Sequence, residues 1–230
     1  MPSISFGAPV VPGKSNVGRE LTKISMGERK KEYIESRSSI GIVRETIALY
    51  STPQGDVVSV YFEGNDPVWA NQQFAASKKP FDVWFKAKAQ ETLGIDFGQP
   101  LPRIEQLFEA RVGGTSSSIM PWMAPILPGK TPAVRAYFKE LSTTRAKDYL
   151  ASMLRAGKTH ETVDILTTPM GDVAAGVTEA ANLPKAIEHV SRSSDPYDVW
   201  YRGKLVELFG LDLAKNPFPV PEILLDWQWR

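Results

Sequence analysis

The sequence contains no cysteine and only two histidines among its 230 residues. The absence of cysteine excludes disulfides, thiolate zinc sites, iron–sulfur clusters and cysteine nucleophiles. Two histidines are too few for a metal site built mainly from imidazole ligands. We therefore predict no metal site, and any chemistry of the chain itself has to come from carboxylate, tyrosine, arginine and aromatic side chains.

An excess of charge of one sign and a long apolar run are also missing. The 27 Lys and Arg residues balance 26 Asp and Glu residues, so no net field favours nucleic acid or an anionic membrane surface. The most apolar stretch, Ile119 to Leu127, is too short to span a membrane and contains two prolines. The N-terminal residues lack the features of a secretory signal. We expect a cytoplasmic protein that binds neither nucleic acid nor membrane.

What the chain does contain is an internal duplication. Thr52–Val57 recurs as Thr168–Val173, 116 positions later, and Pro80–Phe85 recurs at the same offset as Pro196–Tyr201. The register holds without a gap until the proline-rich segment before the last predicted strand, where it slips by one residue. Because a repeat of this length is the signature of a duplicated structural unit, we predict two homologous domains.

A short segment between the two copies has the composition of a flexible linker. Residues 113–118 read Gly-Gly-Thr-Ser-Ser-Ser, a sequence typical of linkers without regular structure. We therefore predict a first domain over residues 1–112, a linker over 113–118 and a second domain over 119–230.

Each copy predicts the element order β-α-β-β-α(α)-β. Asp66-Pro67 and Asp195-Pro196 are typical of helix starts, with an N-cap carboxylate followed by a first-turn proline. In the first copy the predicted strands are Ala8 to Val11, Ile42 to Ser51, Asp56 to Glu63 and Arg103 to Ala110, with a long helix from Asn16 to Ser38. In the second copy they are Met123 to Leu127, Thr159 to Thr167, Asp172 to Glu179 and Glu222 to Trp229, with a long helix from Thr131 to Arg155.

This order is the ferredoxin-like plan, an α+β fold whose four-stranded antiparallel sheet carries helices on one face. The other face of such a sheet needs a partner. We expect the sheets of the two tandem repeats to pack together as an intrachain pseudo-dimer, and whole chains could pair further.

The repeated motifs resemble those of a known group of proteins. They are Pro-Gly-Lys after the first strand, Thr-Pro-x-Gly-Asp in the hairpin, Pro-[Phe/Tyr]-Asp-x-Trp and Gly-[Ile/Leu]-Asp. Together they resemble an uncharacterised bacterial family of the dimeric α+β barrel group, which includes the antibiotic biosynthesis monooxygenase domains. That group includes cofactor-independent oxygenases, haem-binding enzymes, isomerases and ligand-binding proteins, so the resemblance implies a fold and leaves the reaction open.

One set of polar residues recurs in both copies at positions that favour a cluster between helix and sheet. A glutamate lies on the more apolar face of the second strand, and an arginine and a tyrosine lie four residues apart on the preceding helix. Glutamate would serve as a base or ligand anchor, and tyrosine as a proton donor or substrate contact. The alternative is a buried ion pair with no catalytic role. The candidates are Glu45, Arg29 and Tyr33 in the first repeat and Glu161, Arg145 and Tyr149 in the second.

The opposite strand face and the aromatic motif supply further candidates. Arg44 in the first repeat corresponds to His160 in the second, and either could contact a substrate. His160 is also the better-placed histidine for acid–base chemistry or as an axial ligand of haem, unless it lies near solvent. Trp84 and Trp200 are candidates for a wall that stacks on a ligand, although an aromatic stripe at helical spacing also packs cores.

These patterns favour a small-molecule ligand that is apolar or aromatic, held in a dimeric α+β barrel. The resemblance adds an oxygenase-like reaction without a tightly bound metal or other cofactor. Two alternatives remain. The first is a haem-binding barrel that uses His160, and the second is a non-catalytic structural or interaction module whose duplication covers exposed sheet surface.

Overall fold

A computed structural model describes residues 1–99 and 101–229 of the chain. The first repeat contains β1 (Ser3–Pro9), α1 (Ser15–Met26), α2 (Lys30–Ser39), β2 (Ile42–Thr52), β3 (Gly55–Gly64), α3 (Pro67–Ala76), α4 (Pro80–Leu93) and β4 (Ile104–Arg111). The second repeat contains β5 (Ser118–Pro125), α5 (Thr131–Ser142), α6 (Ala146–Ala156), β6 (Lys158–Thr168), β7 (Gly171–Ala180), α7 (Leu183–Arg192), α8 (Pro196–Phe209) and β8 (Glu222–Gln228). The predicted α+β class and the repetition of one element order are confirmed.

The described strands form two four-stranded antiparallel sheets, and the repeats exchange their last strands. The strand order is β1-β3-β2-β8 in one sheet and β4-β6-β7-β5 in the other. Thus β8, from the end of the second repeat, pairs with β2, while β4, from the end of the first repeat, pairs with β6. The chain divides accordingly into a first unit, Met1–Pro102 with Pro221–Arg230, and a second unit, Arg103–Val220.

The limits of these units differ from the predicted domains 1–112 and 119–230 with their linker over 113–118. The predicted limits follow the return of motifs along the chain. The units follow strand pairing instead, and pairing depends on which sheet edge the last strand of a repeat joins. The packing of one sheet on the other stays a prediction.

Equivalent ion pairs fasten each exchanged strand to the first helix of the unit that it joins. Arg19 on α1 places Nη2 2.8 Å from Oε2 of Glu222 on β8, and Arg135 on α5 places Nη2 2.6 Å from Oε2 of Glu105 on β4. All four side chains are partly exposed, so each pair contributes only about 0.2–1 kcal/mol. These pairs therefore specify the position of the exchanged strand more than they stabilise it.

The helix that follows the first strand is broken in both repeats. The predicted helices from Asn16 to Ser38 and from Thr131 to Arg155 each consist of two helices joined by a turn. The break has the same geometry in both, because the N–H of Arg29 donates to the carbonyl of Ile24 and the N–H of Arg145 to that of Glu140, each at 2.9 Å. Only the first repeat has a glycine at this turn, so no shared helix breaker marked it in the sequence.

The Thr-Pro-x-Gly-Asp motif is explained by the hairpin turn that it forms. Gly55 has a φ of +122°, a backbone conformation that glycine adopts without strain, and Gly171 has a φ of +121°. The aspartate that follows the glycine binds the turn to the start of the first helix of the unit. In the second unit Thr131 Oγ1, at the start of α5, donates to Asp172 Oδ2 at 2.6 Å. Asp56 accepts a hydrogen bond from Ser15 in the same way. The motif therefore serves the fold.

The predicted helix starts are confirmed. Asp66 accepts a hydrogen bond from the N–H of Trp69 before α3, and Asp195 accepts one from the N–H of Tyr197 before α8, both at 2.9 Å. The apolar face of α5, with Val134 and Phe138, is buried as its spacing predicts. Within residues 1–99 and 101–229, no helix combines the length and the hydrophobicity that crossing a membrane requires.

Candidate functional site

Each unit encloses a cavity between its helices and its sheet, and the two cavities lie at equivalent places in the repeats. The first cavity, in the first unit, contains about 610 Å³ of atom-free space, and the second cavity, in the second unit, contains about 750 Å³, part of it open to solvent in both. Both walls are mainly apolar. Each includes one member of the repeated glutamate pair, Glu45 in the first cavity and Glu161 in the second.

Glu45 is enclosed by partners from the chain. Tyr33 Oη on α2 donates to Glu45 Oε2 at 2.8 Å, and Arg37 Nε donates to the same oxygen at 2.5 Å. Arg37 Nη2 also reaches Oε1 at 3.4 Å. All three residues are at most 1% exposed. Burial acts to lower the pKa of Arg37, but the charge of Glu45, the neighbouring Tyr33 and the hydrogen bond to Glu45 together outweigh it and raise the pKa, so the buried guanidinium stays protonated.

Arg37 is held by aromatic rings as well as by its carboxylate. The guanidinium carbon lies 4.6 Å from the ring centre of Phe74, 4.7 Å from that of Phe85 and 5.0 Å from that of Tyr33. Cations are attracted to the faces of aromatic rings, most strongly where water is excluded. These contacts explain how a buried arginine is tolerated on α2.

Glu161 has a different and sparser set of partners. Lys158 Nζ on the same strand donates to Glu161 Oε2 at 2.7 Å. Among the residues that the structure describes, no other hydrogen bond reaches this carboxylate, although Glu161 is only 3% exposed. Met153 occupies the position that corresponds to Arg37, and Ile42 occupies the position that corresponds to Lys158. The cation therefore comes from the helix in the first repeat and from the strand in the second.

In the described structure the charge of Glu161 acts on four tyrosines, whereas Glu45 accepts a hydrogen bond from Tyr33. The ring of Tyr201, on the cavity wall, lies 6.3 to 6.4 Å from the rings of Tyr137, Tyr149 and Tyr197. The hydroxyls of those last three are buried and have no hydrogen-bond partner among the described residues. Burial, followed by the charge of Glu161, raises the pKa of Tyr149 and of Tyr201 well above the usual range. Both phenols therefore stay protonated.

The predicted arginine partners of the glutamates are wrong. Arg29 pairs with Glu32 on its own helix at 2.7 Å, and Arg145 pairs with Glu140 at 3.2 Å. Their four-residue spacing from Tyr33 and Tyr149 is correct, but each arginine is the N-cap residue of its helix and does not line the cavity of its unit. Arg37 and Lys158 take their place as partners of the buried carboxylates.

Trp84 and Trp200 are covered by those same arginines. The guanidinium carbon of Arg29 lies 4.4 Å from the ring centre of Trp84, and that of Arg145 lies 4.2 Å from that of Trp200. Both indoles are half-buried, and neither lies on the wall of the cavity in its unit. In the described structure these two tryptophans stack on arginine, and their predicted contact with a ligand stays a prediction.

His160 lies on the opposite face of β6 from Glu161 and is buried between two carboxylates. Its Nε2 lies 3.2 Å from Oε1 of Glu109, and its Nδ1 lies 3.5 Å from Oε1 of Glu179. It is 2% exposed, so it is not the solvent-near histidine of the alternative interpretation. Because both ring nitrogens face carboxylates, an axial bond to haem would first have to break one of these contacts.

Arg44 occupies the corresponding position in the first unit. Its Nε lies 3.4 Å from Oδ1 of Asp226 on the exchanged strand β8. It therefore does not approach Glu45, and the two predicted substrate contacts Arg44 and His160 lie on a different sheet face from the cavities. Within residues 1–99 and 101–229, no group of three or more His, Asp or Glu residues is placed to hold a metal ion.

Sequence reasoning missed the two cations, although a signal for them was present. When the repeats are aligned, Arg37 of the first corresponds to Met153 of the second, and Ile42 of the first corresponds to Lys158 of the second. The second repeat thus lacks a cation at one of these positions and has one at the other. Because a buried carboxylate requires a cation, such a paired exchange indicates that both positions contact the same glutamate. Comparison of the copies around Glu45 and Glu161 could therefore have identified them.

Comparison with known proteins supports the fold. No protein-family model matches the sequence, and no curated protein matches it. The crystal structure of a candidate monooxygenase from Fusobacterium nucleatum subsp. nucleatum is similar, with a TM-score of 0.51 at 10% sequence identity over 98% of this chain and 93% of that one. An anthrone oxidase-like protein has a TM-score of 0.45 at 11% identity, over 99% of this chain and 94% of its own.

Proposed function

We propose that the protein binds a small, largely apolar molecule in the second cavity, through a donor group that hydrogen-bonds to Glu161. The observation that carries this proposal is a buried carboxylate on a mainly apolar wall with one hydrogen bond among the described residues. A carboxylate can accept several hydrogen bonds, and burial is costly when they are not made. A hydroxyl or N–H group of a ligand would supply one.

The wall of the second cavity favours an aromatic ligand. Trp122, Tyr201 and Phe209 lie on it beside aliphatic side chains, and Lys158, Thr178 and Ser191 supply its other polar side chains. Aromatic rings pack well against the edges and faces of other rings. Known ligand pockets likewise combine apolar walls with a few polar groups that fix orientation. A phenol-type ligand matches this wall better than a sugar or a nucleotide does.

The local sequence makes room for this wall. Trp122 on β5 faces Gly176 on β7, and a Cβ atom at Gly176 would lie 2.8 Å from the indole and 2.0 Å from the carbonyl oxygen of Thr162. In the first repeat the same pair is Phe6 and Val60. The larger ring and the missing side chain therefore occur together, and they support a role for Trp122 in shaping the second cavity.

An oxygenase-like reaction is the first chemistry that we propose to test on the bound molecule. Glu161 would accept the proton of the ligand's hydroxyl, and Lys158 would hold the carboxylate in position through its hydrogen bond. The fold is shared with the candidate monooxygenase described above, and this support is a fold-level analogy. The chain's own contribution would be orientation, exclusion of water and acceptance of one proton.

A matched pair of ligands tests the binding step. Naphthol and its methyl ether share the same rings, but only naphthol has a donor for Glu161. We expect naphthol to bind about tenfold or more tightly than the ether, because the ether leaves the carboxylate without the new hydrogen bond. Isothermal titration of the full chain measures both affinities. Equal affinities for the two ligands would contradict the proposed role of Glu161.

Two variants locate the site. Glu161→Gln should reduce the preference for naphthol, because an amide oxygen accepts a hydrogen bond more weakly than a carboxylate does, whereas Glu45→Gln at the equivalent position should leave the preference unchanged. Circular dichroism checks that both variants are folded, since each leaves a buried cation without its carboxylate. An oxygen electrode then tests the chemistry. Oxygen uptake that requires Glu161 would support an oxygenase, and binding without uptake would restrict the function to ligand binding.

A further inference from the structure

The polar side chains of the first cavity are already hydrogen-bonded within the first unit. Besides Glu45 and Arg37, which pair with each other, three polar residues line this cavity. Thr22 donates to the carbonyl of Arg19, and Thr92 donates to that of Lys88, both at 2.9 Å. Asn71 accepts the N–H of Leu101 through its amide oxygen at 3.0 Å. The carboxylate, both hydroxyls and this amide oxygen are therefore engaged before any ligand arrives.

The rest of the first cavity is apolar. Its wall includes Phe6, Val60, Phe74, Ala89 and, from the exchanged strand, Leu224. A ligand group that hydrogen-bonds in water would lose those bonds here, because the carboxylate that could accept it is taken by Arg37 and Tyr33. An apolar molecule would lose nothing of this kind and would gain the burial of its surface.

We propose that the first cavity is a separate binding site for a wholly apolar molecule, such as a fused-ring hydrocarbon or an alkylbenzene. This site goes beyond the function proposed above, which concerns the second cavity and a ligand with a donor group. The two cavities of one chain then select ligands by polarity. The position of one cation causes this difference in ligand preference. Arg37 donates two hydrogen bonds to the carboxylate of Glu45, whereas Glu161 accepts one hydrogen bond, from Lys158, in the described structure.

The duplication supplies substitutions that fill the first cavity with side chains already used in this fold. Ala89 on α4 corresponds to Leu205 on α8, and Thr22 on α1 corresponds to Phe138 on α5. All four residues lie on the cavity walls. Ala89→Leu and Thr22→Phe should therefore shrink the first cavity alone. Ala186→Leu, on the wall of the second cavity, is the matched control.

Equilibrium dialysis of the full chain with naphthalene and with naphthol tests the proposal. We expect the Kd of naphthalene to rise about tenfold or more in Ala89→Leu and in Thr22→Phe, while the Kd of naphthol changes less than about twofold. Ala186→Leu should have the reverse effect. Wild-type protein that binds no naphthalene, or unchanged naphthalene binding in both folded variants, would overturn the proposal.

The failure of this proposal is distinguishable from the failure of the proposed function. If the proposed function fails, wild-type protein binds naphthol no more tightly than its methyl ether, whatever it does with naphthalene. A second measurement covers the case in which a filled variant does not fold. Methyl-resolved NMR of the wild type should show naphthalene-induced shifts at Val58 and Val60, which line the first cavity. Shifts confined to Ile187 and Val190, which line the second cavity, would overturn the first-cavity site.

Discussion

Glu45 and Glu161 stand at equivalent positions in the two repeats, yet one is enclosed and the other is left partly free. Glu45 receives hydrogen bonds from Tyr33 and from two nitrogens of Arg37. Glu161 receives one, from Lys158, in the described part of the chain. The same buried carboxylate is therefore a closed structural pair in one repeat and an acceptor with spare capacity in the other.

The difference extends to the neighbours of the cation. Where arginine at 37 gives way to Met153, the ring of Phe74 gives way to Val190, whereas Phe85 corresponds to Tyr201 and a ring is kept there. The arginine and the ring of Phe74 are therefore lost together, since a methionine carries no charge for a ring face to attract. The two repeats therefore pair equivalent carboxylates with different cations, a helix arginine in the first and a strand lysine in the second.

Loss of Arg37 should have the largest effect on the free energy of unfolding. Arg37→Met introduces the second repeat's residue and leaves Glu45 buried without a cation, so we expect the free energy of unfolding to fall by about 3–5 kcal/mol. Urea denaturation measures this. Arg37→Met combined with Ile42→Lys rebuilds the second repeat's arrangement and should recover much of the loss. No recovery in the double variant would contradict the equivalence of the two cations.

The next largest effect is expected at Tyr33 and Tyr149, which occupy equivalent positions but should contribute differently to stability. Tyr33→Phe removes a hydrogen bond to a buried carboxylate and should cost about 1.5–3 kcal/mol of unfolding free energy. Tyr149→Phe removes a buried hydroxyl that has no partner among the described residues, so the change should stay within about 0.5 kcal/mol or be stabilising. Denaturant melts of both variants give the comparison. Equal losses would show that Tyr149 has the role of Tyr33.

Asp198, a buried aspartate of the second repeat, offers a test by pH. Asp198 accepts hydrogen bonds from Ser152, Ser193 and Arg155, and Nε2 of His189 lies 3.2 Å from its Oδ2. Burial acts to raise the pKa of Asp198, but these bonds and the arginine charge lower it below the ordinary 3.8. The ionised form therefore contributes stability at neutral pH that disappears as the pH falls through this lowered pKa.

We expect Asp198→Asn to cost about 1–3 kcal/mol near neutral pH, and the difference from wild type to shrink as the pH falls below 3.8. Unfolding curves across an acid pH series measure it. The control is Asp82→Asn, because Asp82 accepts from Ser36 and Ser77 but from no arginine in the described structure. If the loss of unfolding free energy in Asp198→Asn stays constant as the pH falls below 3.8, the ionised form of Asp198 does not contribute the expected stability.

The smallest expected effect concerns the exchanged strands. Glu222→Gln and Glu105→Gln each remove one partly exposed ion pair, so each should lower the unfolding free energy by about 0.2–1 kcal/mol. The two losses should be similar, since the pairs are equivalent, and both should diminish in high salt. Thermal melts at low and high salt check this. A large, salt-independent loss at one site alone would disprove the equivalence.

The repeat, the element order and the hairpins were predictable because they depend on local signals. Turn residues such as Gly55 and Gly171, and caps such as Asp66, act within a few positions along the chain. The strand exchange was not predictable in the same way. A last strand shows its own apolar pattern, but β8 carries no local mark that it pairs with β2.

The candidate site was predictable in part. A carboxylate on the apolar face of a strand identified Glu45 and Glu161, because strand alternation fixes the side on which a residue lies. Helical spacing also identified Tyr33. It did not identify the cation, since Arg29 and Arg37 both lie near Tyr33 on the helical surface and only packing against Phe74 distinguishes them. Lys158 lay just before the predicted strand start at Thr159 and was missed for that reason.

The most direct test of the account transplants the first repeat's cation into the second. Met153→Arg together with Lys158→Ile should close Glu161 as Arg37 closes Glu45, while the fold is kept. Titration with naphthol is the measurement. We predict that the double variant binds naphthol about tenfold or more weakly than wild type and no longer prefers it to its methyl ether. Undiminished, selective binding of naphthol by the folded double variant would contradict the claim that a partly free Glu161 makes the second cavity the ligand site.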